Sequence, residues 1–287
     1  MANQLSARND FGIELSDVTA YHPAATAQAP PAIQGLSLSI EPGEHVAVIG
    51  PSGSGKTSLL LVIAAALKVK SGKVLLNHQS VWELATRKLQ ELRGNLFFAP
   101  QTPPLPPRQR VITALLAAKL PRQSFFASLM SLIYPKDSKE ASEALAQFDL
   151  ADKLWQRVDR LSGGERQRVG LARALLSPAT IWLIDEPLSA LDPTRARQAM
   201  DSLITHAKDH GITLITSLHQ VDVATSKFPR VIGLRDGKLV FDLPSGEVSK
   251  ELLADLYRQH EHELYQNAPV LPDSPPEPAP VKIIHCR

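Results

Sequence analysis

Apolar and polar positions divide this chain into two kinds of strand. Phe11-Gly-Ile-Glu-Leu-Ser-Asp-Val-Thr19 alternates apolar and polar residues, and Leu36-Ser-Leu-Ser-Ile40 alternates again. That is the period of half-buried strands, and it predicts an antiparallel sheet laid against a core. Other segments are apolar without alternation: His45-Val-Ala-Val-Ile49, Asn95-Leu-Phe-Phe-Ala99 and Thr180-Ile-Trp-Leu-Ile-Asp-Glu-Pro187. Runs of this kind suit parallel strands buried on both faces. Lys73-Val-Leu-Leu76 and Ile212-Thr-Leu-Ile-Thr-Ser-Leu-His219 read as further strands. Val231 to Phe241 reads as a hairpin turning at Asp236-Gly237.

Helical periodicity fills much of the rest. Ser58 to Leu67 and Glu83 to Leu92 are predicted helices. From Val111 to Asp152 the pattern is helical, with Ile112, Leu115, Leu116 and Leu120 on one face and a second amphipathic segment at Ser138 to Phe148. No strand pattern interrupts it, so the region reads as a helical insertion. Ser162 with Glu165 three residues later forms the sequence of a capping box, opening a helix that stops near Ser177-Pro178. Asp192-Pro193 opens another, running to about His210-Gly211. Gly246 to Gln266 is charged and predicted helical. Asn267 to Pro280, rich in proline and poor in apolar residues, is predicted to be disordered.

Composition narrows the function classes. The 287 residues are 44% hydrophobic, enough to bury a substantial core. A net charge of +2 with no densely basic stretch shows no nucleic-acid footprint. The single cysteine, Cys286, forbids an internal disulfide and fits a reducing compartment. Arg8, Asp10 and Glu14 near the start leave no apolar core for a signal peptide. The longest apolar run, Leu59 to Leu67, is shorter than the ~20 residues that span a bilayer. A membrane role therefore needs another chain to do the spanning. His260 and His262 stand two apart in a charged stretch and read as part of a solvated helix, since such neighbours do not share a helix face.

The chemistry sits between strand and helix. Gly50-Pro51-Ser52-Gly53-Ser54-Gly55-Lys56-Thr57-Ser58 joins the run at 45–49 to the helix that follows. Glycines at 50, 53 and 55 let successive N–H groups point inward around a phosphate chain, and the helix N-terminus adds partial positive charge. Lys56 supplies a full charge to the β- and γ-phosphates, and Thr57 offers a hydroxyl to Mg²⁺. Asp185 and Glu186 end an apolar strand, where carboxylates are expensive unless a cation or proton transfer uses them. Gln101 and His219 stand at the ends of their own strands, the edge at which open α/β folds bind ligands. Gly163 and Gly164 before a capped helix either shape a turn or begin a second anion site. Tyr21, by position, is an edge aromatic.

Together these motifs resemble the ATP-binding subunits of ABC transporters over roughly residues 11–245. They are the phosphate loop, Gln101, Leu161-Ser-Gly-Gly-Glu165, Ile184-Asp-Glu186, Ser189-Ala-Leu-Asp192 and His219. The resemblance implies an α/β fold: a RecA-like P-loop NTPase core, an antiparallel β subdomain, and an all-helical signature subdomain at about 102–176. It implies Tyr21 stacked on adenine and Thr57, Gln101 and Asp185 as the Mg²⁺ ligands. Glu186 would act on the attacking water, and His219 and Lys56 on the γ-phosphate. Ser162, Gly163, Gly164 and Asp192 would close on the ATP of a second copy in a head-to-tail dimer. The implied partners are membrane-spanning permease subunits and, indirectly, a periplasmic-type solute-binding protein, with the chain peripheral on the cytoplasmic face of the inner membrane.

Leu218-His-Gln-Val-Asp222, Ile232-Gly-Leu-Arg-Asp-Gly-Lys238 and Ser124-Phe-Phe-Ala-Ser-Leu-Met-Ser-Leu132 are similar to phosphonate-importer subunits in particular. Two stretches depart from that pattern: the proline-rich Thr102-Pro-Pro-Leu-Pro-Pro-Arg108 and the tail after Gln266. Alternatives that remain open are a transporter of another solute, a soluble ABC ATPase acting on ribosomes or DNA, and a nucleotide-gated module that does not hydrolyse. Intact Glu186 and His219 argue against the last.

Overall fold

The computed structural model describes residues 11–22, 24–26, 29–122, 137–258, 260 and 263. The segment Ser124 to Leu132, His262 and the tail from 267 lie outside the described residues.

Two sheets carry the fold. The first is antiparallel, in the order β2-β1-β4-β5, built from β1 (Ile13–Ala20), β2 (Ile33–Ile40), β4 (Ser71–Leu76) and β5 (Gln79–Ser80). The second has six strands in the order β10-β9-β3-β8-β7-β6. These are β3 (His45–Ile49), β6 (Leu96–Ala99), β7 (Ile181–Asp185), β8 (Thr213–Ser217), β9 (Arg230–Arg235) and β10 (Lys238–Pro244). All its pairings are parallel except the β9–β10 hairpin.

The unbroken apolar runs have a direct structural cause. Trp182 and Ile184 face one core, and Ile181 and Leu183 face the other. The second core holds the antiparallel sheet and helix α1 (Lys56–Ile63) between the two sheets. The first core holds the helices: α3 (Val111–Leu116), α4 (Ser138–Ala146), α5 (Gly163–Leu176) and α6 (Pro193–Asp209). A strand covered on both faces has no polar side to present, so its alternation disappears. The sheets are also joined by Arg230, which donates to Asp242 (2.7 and 2.6 Å), to Glu44 Oε2 (2.8 Å) and to the Ser39 carbonyl (2.9 Å).

Several elements differ from their sequence pattern at the ends. Helix α1 stops at Ile63 because Ala65 turns left-handed (φ 54°) and the Ala66 and Leu67 N–H groups both donate back to the Leu61 carbonyl. The helix expected from Glu83 begins later, as α2 (Thr86–Arg93), after a short 3₁₀ turn at Val81–Glu83. The region from 111 to 152 breaks into α3, a 3₁₀ stretch Ala117–Arg122 containing Pro121, α4 and a 3₁₀ turn at Ala151–Lys153. Among the described residues, helices α7 (Val221–Lys227) and α8 (Lys250–Leu256) follow. Among the described residues no helix is long and apolar enough to cross a membrane.

The proline-rich stretch after Gln101 has a packing role. Pro103 lies so close to α5 that a Cβ on Gly170 would come within 2.6 Å of its ring. Gln167 on the same helix donates to the Pro187 carbonyl (3.4 Å).

The antiparallel sheet depends on one glycine. Asp17 (φ 49°) bulges out of β1, and Gly72 (φ 86°) crosses it so closely that a Cβ would come within 2.3 Å of the Asp17 carbonyl oxygen. Gly72→Ala is therefore expected to lower stability by about 1–3 kcal/mol, through a strained φ and a backbone clash. Urea denaturation checks this, and a midpoint matching the parent would contradict it.

Candidate functional site

The phosphate loop, Gln101, Glu186 and His219 each stand just past the carboxyl end of a strand. The phosphate loop follows β3, Gln101 follows β6, Glu186 follows β7, and His219 follows β8. Strand register brings them together, because Val48 pairs with Ser217 and Asp185 with the same Ser217.

The loop has the backbone that its glycines predict: Gly50, Gly53 and Gly55 all have positive φ. Gly55 (φ 103°) is the N-cap of α1, and a Cβ there would stand 2.4 Å from the Ala32 carbonyl oxygen. The hairpin tip braces the loop from outside, since the Gly237 N–H donates to the Ser54 carbonyl (3.0 Å). Lys56 is only 5% exposed and its Nζ donates to the carbonyls of Gly50 (2.8 Å) and Pro51 (3.1 Å). Among the described residues it forms no ion pair. Burial pushes its pKa down, while the charges of Glu186, Glu263 and Asp185 pull the other way. A buried ammonium held only by carbonyls is a site that gains from an anion. The buried Ser54 hydroxyl, 3% exposed, has no hydrogen-bond partner among the described residues, and it also fits a phosphate oxygen. Ser58, the next hydroxyl after Thr57, is buried in the first turn of α1.

Asp185 is 3% exposed and is held by two hydroxyls. Thr57 Oγ1 donates to its Oδ2 (2.9 Å) and Ser217 Oγ donates to its Oδ1 (2.5 Å). Burial raises its pKa, and these two hydrogen bonds act against the rise. Glu186 sits at the mouth with a left-handed backbone (φ 46°). Gln101 Nε2 donates to its Oε2 (2.6 Å), and His219 Nε2 lies 2.5 Å from its Oε1. Burial pushes the Glu186 pKa up, but the His219 hydrogen bond, with the charges of His219 and Lys56, outweighs this and leaves it below the usual value. Glu186 is thus held ionised. Gln101 contacts Glu186 rather than the Thr57–Asp185 pair.

Ser162 forms the capping box: its hydroxyl accepts from the Glu165 N–H (3.2 Å) and its N–H donates to Glu165 Oε2 (2.8 Å). Gly163 is open, with nothing within 4 Å of a Cβ built on it, while Gly164 packs against the Ala190 carbonyl. Asp192 caps α6 by accepting from the Arg195 N–H (3.0 Å). Among the described residues no hydrogen bond joins Ser162, Gly163, Gly164 or Asp192 to the phosphate loop of their own chain. Tyr21, just beyond β1, is exposed.

Two partners escaped the sequence pattern. Ser217 was hidden because only strand pairing places it beside Asp185. Glu263 comes from far along the chain and accepts from the Ser52 N–H (2.8 Å) and hydroxyl (3.2 Å). His260, inside the helix expected over 246–266, is not helical: helix α8 ends at Leu256.

The chain is similar to known proteins in sequence and in fold. The ABC transporter family model matches residues 33–189. The phosphonates import ATP-binding protein PhnC 2 of Albidiferax ferrireducens is 55% identical over 276 residues, 96% of this chain and 99% of that one. PhnC of Polaromonas sp. is 55% identical over 277 residues, 96% and 100% of the two chains. A dimeric ATP-binding cassette in a post-hydrolysis state, bound to ADP and Pi, superposes with a TM-score of 0.71 at 26% identity, covering 81% of this chain and 98% of that one.

The Glu263 carboxylate occupies the loop's Ser52 N–H and hydroxyl, where it would compete with a bound phosphate. Glu263→Gln is expected to tighten ATP binding about three- to ten-fold, the scale of removing one nearby like charge. Nucleotide titration of the full chain checks it; an unchanged affinity would show that the segment swings aside without cost.

Proposed function

The chain belongs to the ABC transporter family, and from that premise we propose that it is the ATP-hydrolysing subunit powering an importer of phosphonates. The substrate class follows the names of the relatives that match it almost end to end. The observation that carries the catalytic reading is the chain of contacts Gln101–Glu186–His219 beside the Thr57–Asp185 pair, at the rim of the phosphate loop.

The loop N–H groups from Gly50 to Ser58, with Lys56, bind the triphosphate and hold the γ-phosphate in line. Tyr21 offers its exposed ring to the adenine. Thr57 and Asp185 would supply oxygen ligands suited to Mg²⁺, and the amide oxygen of Gln101, whose amide nitrogen contacts Glu186, would be the third. Phosphate and water oxygens would complete the coordination of Mg²⁺ beside Thr57 and Asp185. The bound cation supplies charge neutralisation at the β- and γ-phosphates. Glu186, ionised, accepts a hydrogen bond and then a proton from the attacking water. Gln101 and His219 grip its two carboxylate oxygens and aim it. The His219 ring also faces the developing charge on the transferred phosphoryl group.

A second copy completes the site. Ser162, Gly163 and Gly164 of one chain close on the γ-phosphate held by the other, with Asp192 near the same seam. The capping box supports this: its two hydrogen bonds fix Ser162 and the glycines that open α5 in place at the start of that helix. Closure on ATP and opening after hydrolysis move the permease subunits that span the inner membrane, on whose cytoplasmic face this chain sits. A periplasmic-type binding protein delivers the phosphonate, which never touches this subunit.

Glu186→Gln is expected to lower ATP turnover by at least about 100-fold, the usual worth of a general base, with ATP binding intact. ATP should then trap a dimer, seen by size-exclusion chromatography. Normal turnover would remove Glu186 from its role. Lys56→Ala should abolish ATP binding in the same titration, and undiminished affinity would count against the cradle.

A further inference from the structure

The end of β8 holds a hydroxyl that the mechanism above leaves unassigned. Ser217 is wholly buried, at 0% exposure, and is the residue of β8 that pairs with Asp185 of β7. In parallel register the two side chains lie side by side. The Ser217 hydroxyl has one proton, which it donates to Asp185 Oδ1 at 2.5 Å. Its lone pair accepts from the Glu186 N–H at 3.0 Å, and the Ser217 carbonyl accepts from that same N–H at 3.2 Å. One side chain thereby touches both acids, the first through its carboxylate and the second through its backbone.

Each contact settles something the reaction needs. Tying Oδ1 to Ser217 leaves Oδ2 on the Thr57 side, where the hydroxyl of Thr57 reaches it. Holding the Glu186 N–H keeps that residue at φ 46°, a left-handed conformation that a residue with a Cβ adopts only when its surroundings impose it. Were the Glu186 backbone to relax, its carboxylate would leave Gln101 and His219, which meet it at 2.6 and 2.5 Å.

We infer that Ser217 is a positioning residue for ATP hydrolysis: its hydroxyl fixes the geometry between the cation-side carboxylate of Asp185 and the water-side carboxylate of Glu186. The inference rests on the roles proposed above for those two acids. It does not make Ser217 a catalytic residue, because the hydroxyl faces protein groups and not the reacting atoms.

The test compares Ser217→Thr with Ser217→Val in the full-length chain, with Glu186→Gln as control. Thr and Val have the same shape and differ by the hydroxyl, so any strain from the added methyl is common to both. Thermal unfolding, kcat, KM for ATP, and the ratio of ATP affinities with Mg²⁺ and with EDTA are measured. The Val variant is expected to turn over about ten-fold or more slower than the Thr variant, with KM within about two-fold, since small misplacements of catalytic groups act on the barrier. Its Mg²⁺ advantage in ATP binding should also shrink several-fold, a change that lost stability would not produce. Equal kcat and equal Mg²⁺ ratios in the two variants, with Glu186→Gln inactive, overturn the inference and leave Ser217 a packing residue. If Glu186→Gln itself turns over like the parent, the role given to Glu186 has failed instead.

Discussion

The arrangement depends on a sheet register. β3, β8 and β7 lie side by side and parallel, with Val48, Ser217 and Asp185 in one row. Backbone hydrogen bonds hold that row, and the functional groups start within one or two residues of it. Gly50 follows Ile49, Glu186 follows Asp185, and His219 comes two residues after Ser217. A loop that leaves a clamped strand end after so few residues has little freedom. The separation between Lys56, Asp185 and Glu186 is therefore inherited from the sheet, which two apolar cores cover on opposite faces. Slipping one strand by one residue would turn Asp185 to the other face and dismantle the site without touching a loop.

Electrostatics then makes the edge asymmetric. On one side a buried lysine donates to the carbonyls of Gly50 and Pro51, and burial drives its pKa down. On the other, two adjacent carboxylates are driven apart. Asp185 is pushed up by burial, while Glu186 is brought down by His219 and Lys56 despite its own burial. Burying the Asp185 carboxylate disfavours its charge, so a cation beside it would lower that cost, whereas Glu186 stays ionised without one. Thr57 links the two halves, because it begins α1 next to Lys56 and donates to Asp185.

Much of this was legible along the chain, and what was not has a common cause. The strand–loop–helix at 45–67, the capping box at Ser162 and the Asp192-Pro193 helix start are local: a residue and its partner lie within a turn of each other. Hidden features join residues far apart. Asp185 meets Ser217 across 32 positions, and Ser52 meets Glu263 across 211. No periodicity marks such pairs; they follow only from the strand order. Helix ends were the other weakness. Ala65 turns left-handed with no glycine to announce it, so α1 ends four residues before its apolar run does. The proline segment at 102–108 looked like a departure from the family pattern. Its contact with Gly170 shows why prolines suit it: a stiff loop lies against the helix that Ser162 caps, two residues from Gln101.

That contact bears on how two distant halves of the molecule act together. Gln101 touches Glu186, so under the proposed mechanism its loop would respond to the occupant of the chain's own phosphate cradle. Pro103 leans on α5, whose N-terminal glycines face, in the proposed dimer, the nucleotide of the other copy. A rearrangement at one nucleotide thus has a short, packed route to the other: Glu186, Gln101, Pro103, Gly170, and along one helix to Ser162. Rigid groups packed in sequence transmit displacement better than flexible ones, because close-packed interiors cannot absorb it. Two copies related by a two-fold axis would possess two such routes running in opposite directions, each beginning where the other ends. In the proposed dimer, emptying one site would then disturb the partner, and hydrolysis would be an event of the pair.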